Sequence, residues 1–398
     1  MVKWLKRLVV VFFACMAFLF AFLTVSASRE NASLPAPDDS NTDHPGNPAR
    51  DYRTPGEIAK DILKYRVHRL KPSWELKIAG QAYMLEESGS LYVSSLPGMI
   101  YCLDASTGAV RWSYDLGGMV SSRPAVSGGT VYVGSADHVL YALDAQTGTL
   151  LWYFKAQGEI LASPVISDGF LYFFADNDSV LDLVNRLYAL DARTGKQLWT
   201  YDTKSWTPSP PAVGPMAVFT GGSFPVVTAL ERTTGRVIWS REVDSLVYSS
   251  PSLHGDEVVI TTVNGGLYSL DAATGEVKWA RSISEFTPFS PLVMGDRLYV
   301  STYGRKLTAL SLAGGETLWS KPLPGALADM ASVPPGLLYT YKARGYLLQI
   351  DTSTGEPVGI LITPFAISSA PYVTGGRLFI MSPDDHLRAY SLDGPSGG

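Results

Sequence analysis

The 398-residue sequence has little of what disulfide scaffolds and metal sites require. It contains two cysteines, and because Cys15 falls inside an apolar N-terminal run, Cys102 has no disulfide partner in the rest of the chain. The five histidines do not show the paired spacing of zinc ligands. The sequence therefore favours neither a disulfide framework nor a zinc enzyme, and we expect no metal and no cofactor.

Charge of either sign is also scarce. Charged residues make up 17% of the chain, against about 25% in a typical soluble domain. The 32 basic and 37 acidic residues give a net charge of −5, and no basic block could neutralise a phosphate backbone. We therefore expect no nucleic-acid partner. The apolar share of 46% indicates a folded, core-rich chain, and 37 glycines with 26 prolines indicate many turns.

The N-terminus has the pattern of an export signal. Lys3, Lys6 and Arg7 precede the uninterrupted apolar run Leu8–Val25, which predicts that the chain beyond it is extracytoplasmic, for example periplasmic. The small residues after the run favour a cleaved signal peptide over residues 1–28. A signal anchor is the alternative, because 18 apolar residues just reach bilayer-spanning length. Such an anchor is the only membrane contact that we expect.

Two short segments follow the export signal. Residues 29–53 are rich in Pro, Asp, Asn and Ser and have no apolar period, which is typical of a disordered linker. Thr54 and Glu57 have the spacing of a capping box. Residues 54–72 are therefore predicted to form a short helix and a lead-in to the next domain.

A repeat of about 40 residues dominates the rest of the chain. One pattern recurs from residue 101 onward, for example as YALDAQTGTLLW at 141–152. Its glycines lie 40, 47, 40, 40, 40 and 40 residues apart, at Gly108, Gly148, Gly195, Gly235, Gly275, Gly315 and Gly355. A fixed period of this size indicates a propeller or a solenoid.

Each repeat is predicted to form four strands, two of them joined by the Asp/Thr/Gly turn. The first strand of that hairpin occurs eight times after residue 100 and the second only seven times. Trp74, in the segment 73–80, is therefore predicted to supply the missing outer strand. The predicted fold class is all-β: an eight-bladed β-propeller of four-stranded blades over residues 73–394, closed by an N-terminal strand that completes the last blade.

One motif of the repeat resembles that of a known family. The run Ala-x-Asp-x-x-Thr-Gly-x-x-x-Trp, as in Ala142, Asp144, Thr147, Gly148 and Trp152, is similar to the tryptophan-docking repeat of pyrroloquinoline-quinone-type eight-bladed propellers. The resemblance implies a propeller in which each Trp packs between blades. That family includes quinone-dependent alcohol and sugar dehydrogenases as well as non-enzymatic BamB-like members, so the resemblance implies fold more specifically than function.

The most regular side chains of the repeat have a structural interpretation. The turn aspartates occupy identical positions, which favours local backbone hydrogen bonds over acid–base chemistry. Cys102 occupies a slot that is small in most other copies, which favours a buried thiol over a reactive one. The tryptophans are predicted to pack blade against blade rather than to bind a ligand: Trp74, Trp112, Trp152, Trp199, Trp239, Trp279 and Trp319.

A quinone-dependent dehydrogenase is the enzymatic alternative, and the resemblance itself implies features that this chain lacks. Many such enzymes carry an adjacent pair of cysteines over the quinone, whereas Cys102 is the only cysteine after the export signal. They also require calcium, and only Asp176-Asn177-Asp178 hints at a site for a hard cation. We therefore expect no enzymatic activity.

Two interruptions of the repeat predict a binding surface. Seven extra residues fall within 175–186, between the second and third strands of one blade, and Trp206 stands outside the pattern in the next crossover. These two loop types emerge on one face of a propeller, so Trp206 is predicted to neighbour Asp176, Asp178 and Asp182 in a partner site. Basic residues are predicted on the same face: Arg305, Lys306, Lys342 and Arg344. The alternative is that the insertion only caps its own blade.

The sequence is therefore interpreted as an exported, non-catalytic scaffold for a protein partner, in envelope or outer-membrane protein assembly. Two alternatives stay open at this point. One is a quinone-dependent alcohol or sugar dehydrogenase, and the other is the extracytoplasmic sensor domain of a signalling system. Quinone binding would identify the enzyme, and capture of a partner would separate a scaffold from a sensor.

Overall fold

The computed structural model describes residues 66–392 except 177–184, 204–205, 208, 288, 324–326, 334–335 and 342–344. The chain divides into two units after Arg53, and every described residue belongs to the second unit. The predicted signal segment, the linker and the first part of the predicted helix lie outside the described residues. Within the described part, all regular structure is β-strand, and no helix there is long and apolar enough to cross a membrane.

The strands form eight blades. Seven blades contain four consecutive antiparallel strands, and the eighth combines three consecutive strands with one from the N-terminal part of the described chain. Blade 1 contains β3 (Ala82–Glu87), β4 (Ser90–Ser95), β5 (Met99–Asp104) and β6 (Val110–Asp115). Blade 2 contains β7 (Ala125–Ser127), β8 (Thr130–Gly134), β9 (Val139–Asp144) and β10 (Leu150–Lys155). Blade 3 contains β11 (Val165–Ser167), β12 (Phe170–Ala175), β13 (Arg186–Asp191) and β14 (Gln197–Asp202). Blade 4 contains β15 (Ala212–Val213), β16 (Ala217–Thr220), β17 (Val226–Glu231) and β18 (Val237–Glu242).

The second half of the ring repeats this arrangement. Blade 5 contains β19 (Ser252–His254), β20 (Glu257–Thr261), β21 (Gly266–Asp271) and β22 (Val277–Ser282). Blade 6 contains β23 (Leu292–Met294), β24 (Arg297–Ser301), β25 (Lys306–Ser311) and β26 (Thr317–Pro322). Blade 7 contains β27 (Leu327–Val333), β28 (Gly336–Tyr341), β29 (Tyr346–Asp351) and β30 (Pro357–Ile362). Blade 8 contains β31 (Tyr372–Thr374), β32 (Arg377–Met381) and β33 (His386–Ser391), with β2 (Trp74–Lys77) as its outer strand.

The N-terminal part of the described chain spans two blades. Strand β2 pairs antiparallel with β33, with Trp74 opposite Ala389. Strand β1 (Arg66–Arg69) pairs in parallel with β30 and gives blade 7 a fifth strand. Arg66–Arg69, at the end of the segment predicted as a helix and lead-in over 54–72, is thus a strand. The outer edge of β30 is open, and an extended segment can satisfy its backbone groups where an isolated short helix would leave them unpaired.

The tryptophans of the outer strands dock onto the turn of the following blade. Trp112 donates from its indole nitrogen to the carbonyl of Ala145 at 3.0 Å. Its ring also covers Gly148, where an added Cβ would come within 2.6 Å of the ring. The same approach of ring to glycine recurs for Trp74, Trp152, Trp199, Trp239, Trp279 and Trp319, against Gly108, Gly195, Gly235, Gly275, Gly315 and Gly355. Blade 7 carries Gly359 in this slot, and there Gly359 is paired with Arg66 of β1.

The hydrophobic core is divided among the junctions between blades. One cluster, for example, joins Tyr132 and Leu140 of blade 2 to Phe173 and Tyr188 of blade 3. Each blade buries apolar side chains on both of its sheet faces. Inner strands of a blade are therefore nearly continuous apolar runs, as in Phe170–Ala175. The ring is therefore stabilised by interactions between consecutive blades rather than by one central core.

The strand directions define two faces of the ring. Because neighbouring strands are antiparallel, the second and fourth strands of a blade run the same way, so the loops after both emerge on one face. We call this the loop face: it carries the loops between second and third strands and the crossovers between blades. The Asp/Thr/Gly turns lie on the opposite face, which we call the turn face.

Candidate functional site

The base of the insertion and the extra tryptophan meet on the loop face. Asp176 directly follows β12, and Asn185 directly precedes β13, so these two residues form the base of the insertion. The amide nitrogen of Asn185 donates to Asp176 Oδ1 at 2.6 Å and to the carbonyl of Thr207 at 3.2 Å. The side chain of Trp206 is hydrogen-bonded to Asp176. Blade 3 and the crossover that follows it are thus joined at this point.

Further contacts hold Trp206 from blade 4 and from the crossover that follows blade 4. Its backbone N–H donates to the hydroxyl of Ser223 at 3.0 Å, and its carbonyl accepts from the N–H of Ser223 at 2.9 Å. Its ring meets the ring of Tyr248 edge to face, with centroids 5.8 Å apart. The tryptophan is half-buried by these contacts. A fixed aromatic side chain that keeps part of its surface open has the properties of an interface anchor.

Asp176 is less accessible than the other acidic groups of a partner site would have to be to contact a partner. It is half-buried, and burial raises its pKa to about 6, although the hydrogen bonds from Trp206 and Asn185 act in the opposite direction. Its carboxylate is therefore occupied in holding Trp206 and the base of the insertion. Asp178 and Asp182, the other two predicted acidic residues, lie outside the described residues.

The raised pKa of Asp176 leads to a pH-dependent stability. The native state binds this proton more tightly than the unfolded chain, so the contribution of Asp176 to the free energy of unfolding falls as the pH rises from about 4 to above 6. A shift of two pKa units corresponds to about 3 kcal/mol. We expect Asp176→Asn to raise the free energy of unfolding by about 2 kcal/mol at pH 7.5 and to change it little at pH 4. Chemical denaturation of both proteins across this range measures the effect, and a wild-type-like pH slope in the variant would contradict it.

The predicted basic residues are only partly described. Arg305 lies in the turn before β25 with a φ of 65°, and Lys306 begins that strand. Lys306 forms an ion pair with Glu285 at 2.6 Å, and this pair holds the pKa of Glu285 below its usual range. The charge of Lys306 is thus compensated within the loop face. Lys342 and Arg344 lie outside the described residues.

The loop face also exposes aromatic side chains that the sequence analysis did not single out. Phe224 is 55% exposed in the loop between β16 and β17. Phe286 and Tyr303 are 39% and 47% exposed, and their rings meet edge to face with centroids 5.8 Å apart. In the repeat, Phe286 occupies the same position as Trp206, seven residues after the tryptophan slot, and this correspondence could have identified it. Large exposed apolar groups that cluster on one face are typical of interaction surfaces.

Cys102 and the turn aspartates have structural surroundings in the described part of the chain. Cys102 is buried in β5 opposite Trp112, and burial raises the pKa of its thiol. The turn aspartates accept local hydrogen bonds, as predicted: Asp144 Oδ1, for example, accepts from the backbone N–H groups of Gln146 and Thr147. In the described ranges, no group of three or more His, Cys, Asp or Glu side chains could hold a metal ion.

Comparison with known proteins gives one family and a widely shared fold. A family model described as outer membrane protein assembly factor BamB matches residues 68–182 and 184–332. No curated protein sequence matches the chain.

Among solved structures, BamB from Moraxella catarrhalis aligns with a TM-score of 0.67 at 19% identity, over 81% of this chain and 99% of that chain. The quinohemoprotein alcohol dehydrogenase ADHIIG from Pseudomonas putida HK5 aligns with a TM-score of 0.66 at 16% identity, over 82% and 77%. A europium-containing methanol dehydrogenase aligns with a TM-score of 0.67 at 14% identity, over 81% and 93%. At these identities the structural matches establish the propeller fold alone.

Proposed function

Since the chain belongs to the family of the outer membrane protein assembly factor BamB, we propose that it is an exported, non-catalytic scaffold for a protein partner. Its place of action is the cell envelope, in the assembly of envelope or outer-membrane proteins. The partner binds the loop face around Trp206, the junction of blades 3 and 4.

The observation that carries this proposal is the way in which Trp206 is held. Blade-packing tryptophans dock on a turn glycine, whereas Trp206 lies on the loop face between Asp176 and Tyr248 with part of its surface open. A pre-positioned aromatic ring loses little conformational freedom on binding and gains the full benefit of desolvation. The proposal includes the acidic side chains of the insertion and the basic side chains of blades 6 and 7 as groups that orient the partner.

The proposal predicts that Trp206→Ala abolishes capture of a native partner from cell-envelope extracts by the immobilised full chain. A desolvated aromatic anchor contributes about 2 kcal/mol or more to binding, which corresponds to a loss of roughly 30-fold in affinity. The captured proteins are compared quantitatively by mass spectrometry.

Two variants serve as controls for this experiment. Met216→Ala removes the most exposed large apolar side chain, 78% exposed, from the turn face and should leave capture unchanged. Trp206→Phe keeps a ring but loses the hydrogen bond to Asp176, so it should retain part of the affinity. If Trp206→Ala captures the same proteins as the wild type, or if the variant unfolds, the residue is a packing group and the proposed site is wrong.

A quinone-dependent dehydrogenase is the second candidate, because structures of such enzymes share the fold with comparable TM-scores. The full chain incubated with pyrroloquinoline quinone and calcium should show neither the absorbance of bound quinone nor dye-linked oxidation of alcohols or sugars. Micromolar quinone binding with turnover would replace the scaffold proposal by the enzymatic one.

A further inference from the structure

The chain from residue 60 to residue 77 has a charge opposite to that of its surroundings. It contains six basic and two acidic residues, which give a net charge of +4. The rest of the chain after residue 28 contains 23 basic and 35 acidic residues, which give a net charge of −12. Such an asymmetry indicates an interaction with a surface of opposite sign. The proposed partner site around Trp206 uses none of these six basic residues.

The structure places the end of this segment on the outer edges of blades 7 and 8. Arg69, the last residue of β1, is paired with the last residue of β30. Lys77, the last residue of β2, is paired with the first residue of β33. Both pairs lie where their blades reach the loop face, and Lys71 lies in the short connection between β1 and β2. We call Arg69, Lys71 and Lys77 the basic rim.

The side chains of the basic rim are open to solvent. All three are exposed, and none of them forms an ion pair with another residue of the described ranges. The acidic groups of the same two strands are engaged elsewhere: Glu75 and Asp384 both pair with buried Arg388, at 2.9 and 2.6 Å. Asp385 accepts a hydrogen bond from the backbone of β2's exit at 3.1 Å. Together with Arg388, Asp384 and Asp385, the segment still carries a net charge of +3.

We propose that the basic rim docks the propeller on a bilayer that contains anionic lipids, with the outer edges of blades 7 and 8 toward the headgroups. Lys and Arg side chains near such a surface are attracted to it, whereas the remaining net charge of −12 is repelled. Only one edge of the ring can therefore approach the bilayer closely. The rim lies on an open outer edge, which fits an extended surface.

The place of the rim in the chain favours a membrane surface over an acidic protein. The basic segment follows the predicted linker 29–53, which itself follows the apolar run Leu8–Val25. Polybasic segments near a membrane-directed apolar run are typical of anionic-lipid binding. A retained run raises the effective concentration of the rim at the bilayer. A cleaved run leaves the charge attraction, which has the same sign and the same orientation.

This docking goes beyond the proposed function and is compatible with it. The junction of blades 7 and 8 lies four blades away from the junction of blades 3 and 4 in a ring of eight. When the basic rim faces the headgroups, Trp206 lies on the far side of the ring. The propeller can therefore be held at the bilayer while its partner site stays open.

Fluorescence energy transfer from the rim to the bilayer tests the proposal. In a Cys15→Ser background of the full chain, Ala79→Cys carries the donor, because Ala79 is exposed just after β2 and Cys102 is buried. The acceptor is attached to lipid headgroups in phosphatidylcholine vesicles, with or without about 30% phosphatidylglycerol. We expect higher transfer with phosphatidylglycerol, and loss of this difference when the salt rises from about 0.1 M to about 0.5 M.

Neutralising the basic rim should remove the docked state. Each basic residue near an anionic surface contributes about fivefold to binding. The triple variant Arg69→Gln, Lys71→Gln and Lys77→Gln should therefore lower the ratio of docked to undocked chains about 100-fold. Arg69→Lys, Lys71→Arg and Lys77→Arg keep the charges and should keep the docking.

A second triple variant is the matched control. Lys155→Gln, Arg193→Gln and Lys196→Gln remove three exposed basic residues from blades 2 and 3, so the net charge changes equally. This variant should dock like the wild type, and the apolar run contributes equally to both triple variants. Equal losses in both, or equal transfer with and without phosphatidylglycerol, would overturn the proposal. A rim that binds soluble polyglutamate but not these vesicles takes an acidic protein, which would overturn it as well.

Discussion

Deletion of residues 73–80 is expected to lower the melting temperature of the protein by more than about 10 °C, or to remove its cooperative unfolding transition altogether. The deletion removes β2, so the outer side of β33 is left open. It also removes the ring of Trp74, which lies against Gly108 and donates to the carbonyl of Ala105 at 3.2 Å. Blade 8 then loses a strand and the junction between blades 8 and 1 loses its docking residue at the same time.

Differential scanning calorimetry of two deletions of equal length measures this effect. Deletion of residues 46–53 shortens the predicted linker by the same eight residues and should leave the transition unchanged. Trp74→Ala alone should cost about 3 kcal/mol, as truncations of large aromatic residues in a core do. If deletion of residues 73–80 gives the same transition as the linker deletion, the ring is not closed by this strand.

The second large effect is expected for Gly148→Ala. The residue has a φ of 73°, a left-handed conformation that costs an alanine about 1–2 kcal/mol. The added methyl group would also meet the ring of Trp112 at 2.6 Å, so the ring must move out of its packed position. From the backbone cost and the packing cost combined, we expect Gly148→Ala to lose about 3–5 kcal/mol in the free energy of unfolding.

Gly129→Ala is the matched control, because it isolates the backbone cost. Gly129 lies in the same blade with a φ of 76°, and an added Cβ there meets no atom within 4 Å. It should lose only the 1–2 kcal/mol of the backbone conformation. In a double-mutant cycle, Trp112→Ala should relieve much of the penalty of Gly148→Ala, so the two effects should fall short of additivity by more than about 1 kcal/mol. Additive effects would show that the glycine is not required by docking.

Several features of this protein were determined by the sequence alone, because they depend on local geometry that recurs in register. The Asp/Thr/Gly turn needs a carboxylate that accepts two nearby N–H groups and a glycine with positive φ, and both requirements are visible within five residues. Counting the strands that lead into these turns predicted eight four-stranded blades, and the structure shows eight. The insertion before Asn185 and the extra Trp206 were detectable for the same reason, since each breaks a regular period.

Other features were decided only by the tertiary structure. The residues of β1 carry no strong strand signal of their own, and they are extended because β30, almost 300 residues later, has an open edge. Lys306 is compensated by Glu285 from the preceding crossover, and Asp176 is half-buried and hydrogen-bonded to Trp206 from the next crossover. Tyr153 and Ile360 occupy the same position in the repeat, yet one is exposed and the other is buried. A repeat pattern reports the backbone conformation of a residue, whereas its burial and charge state depend on which distant segment packs against it.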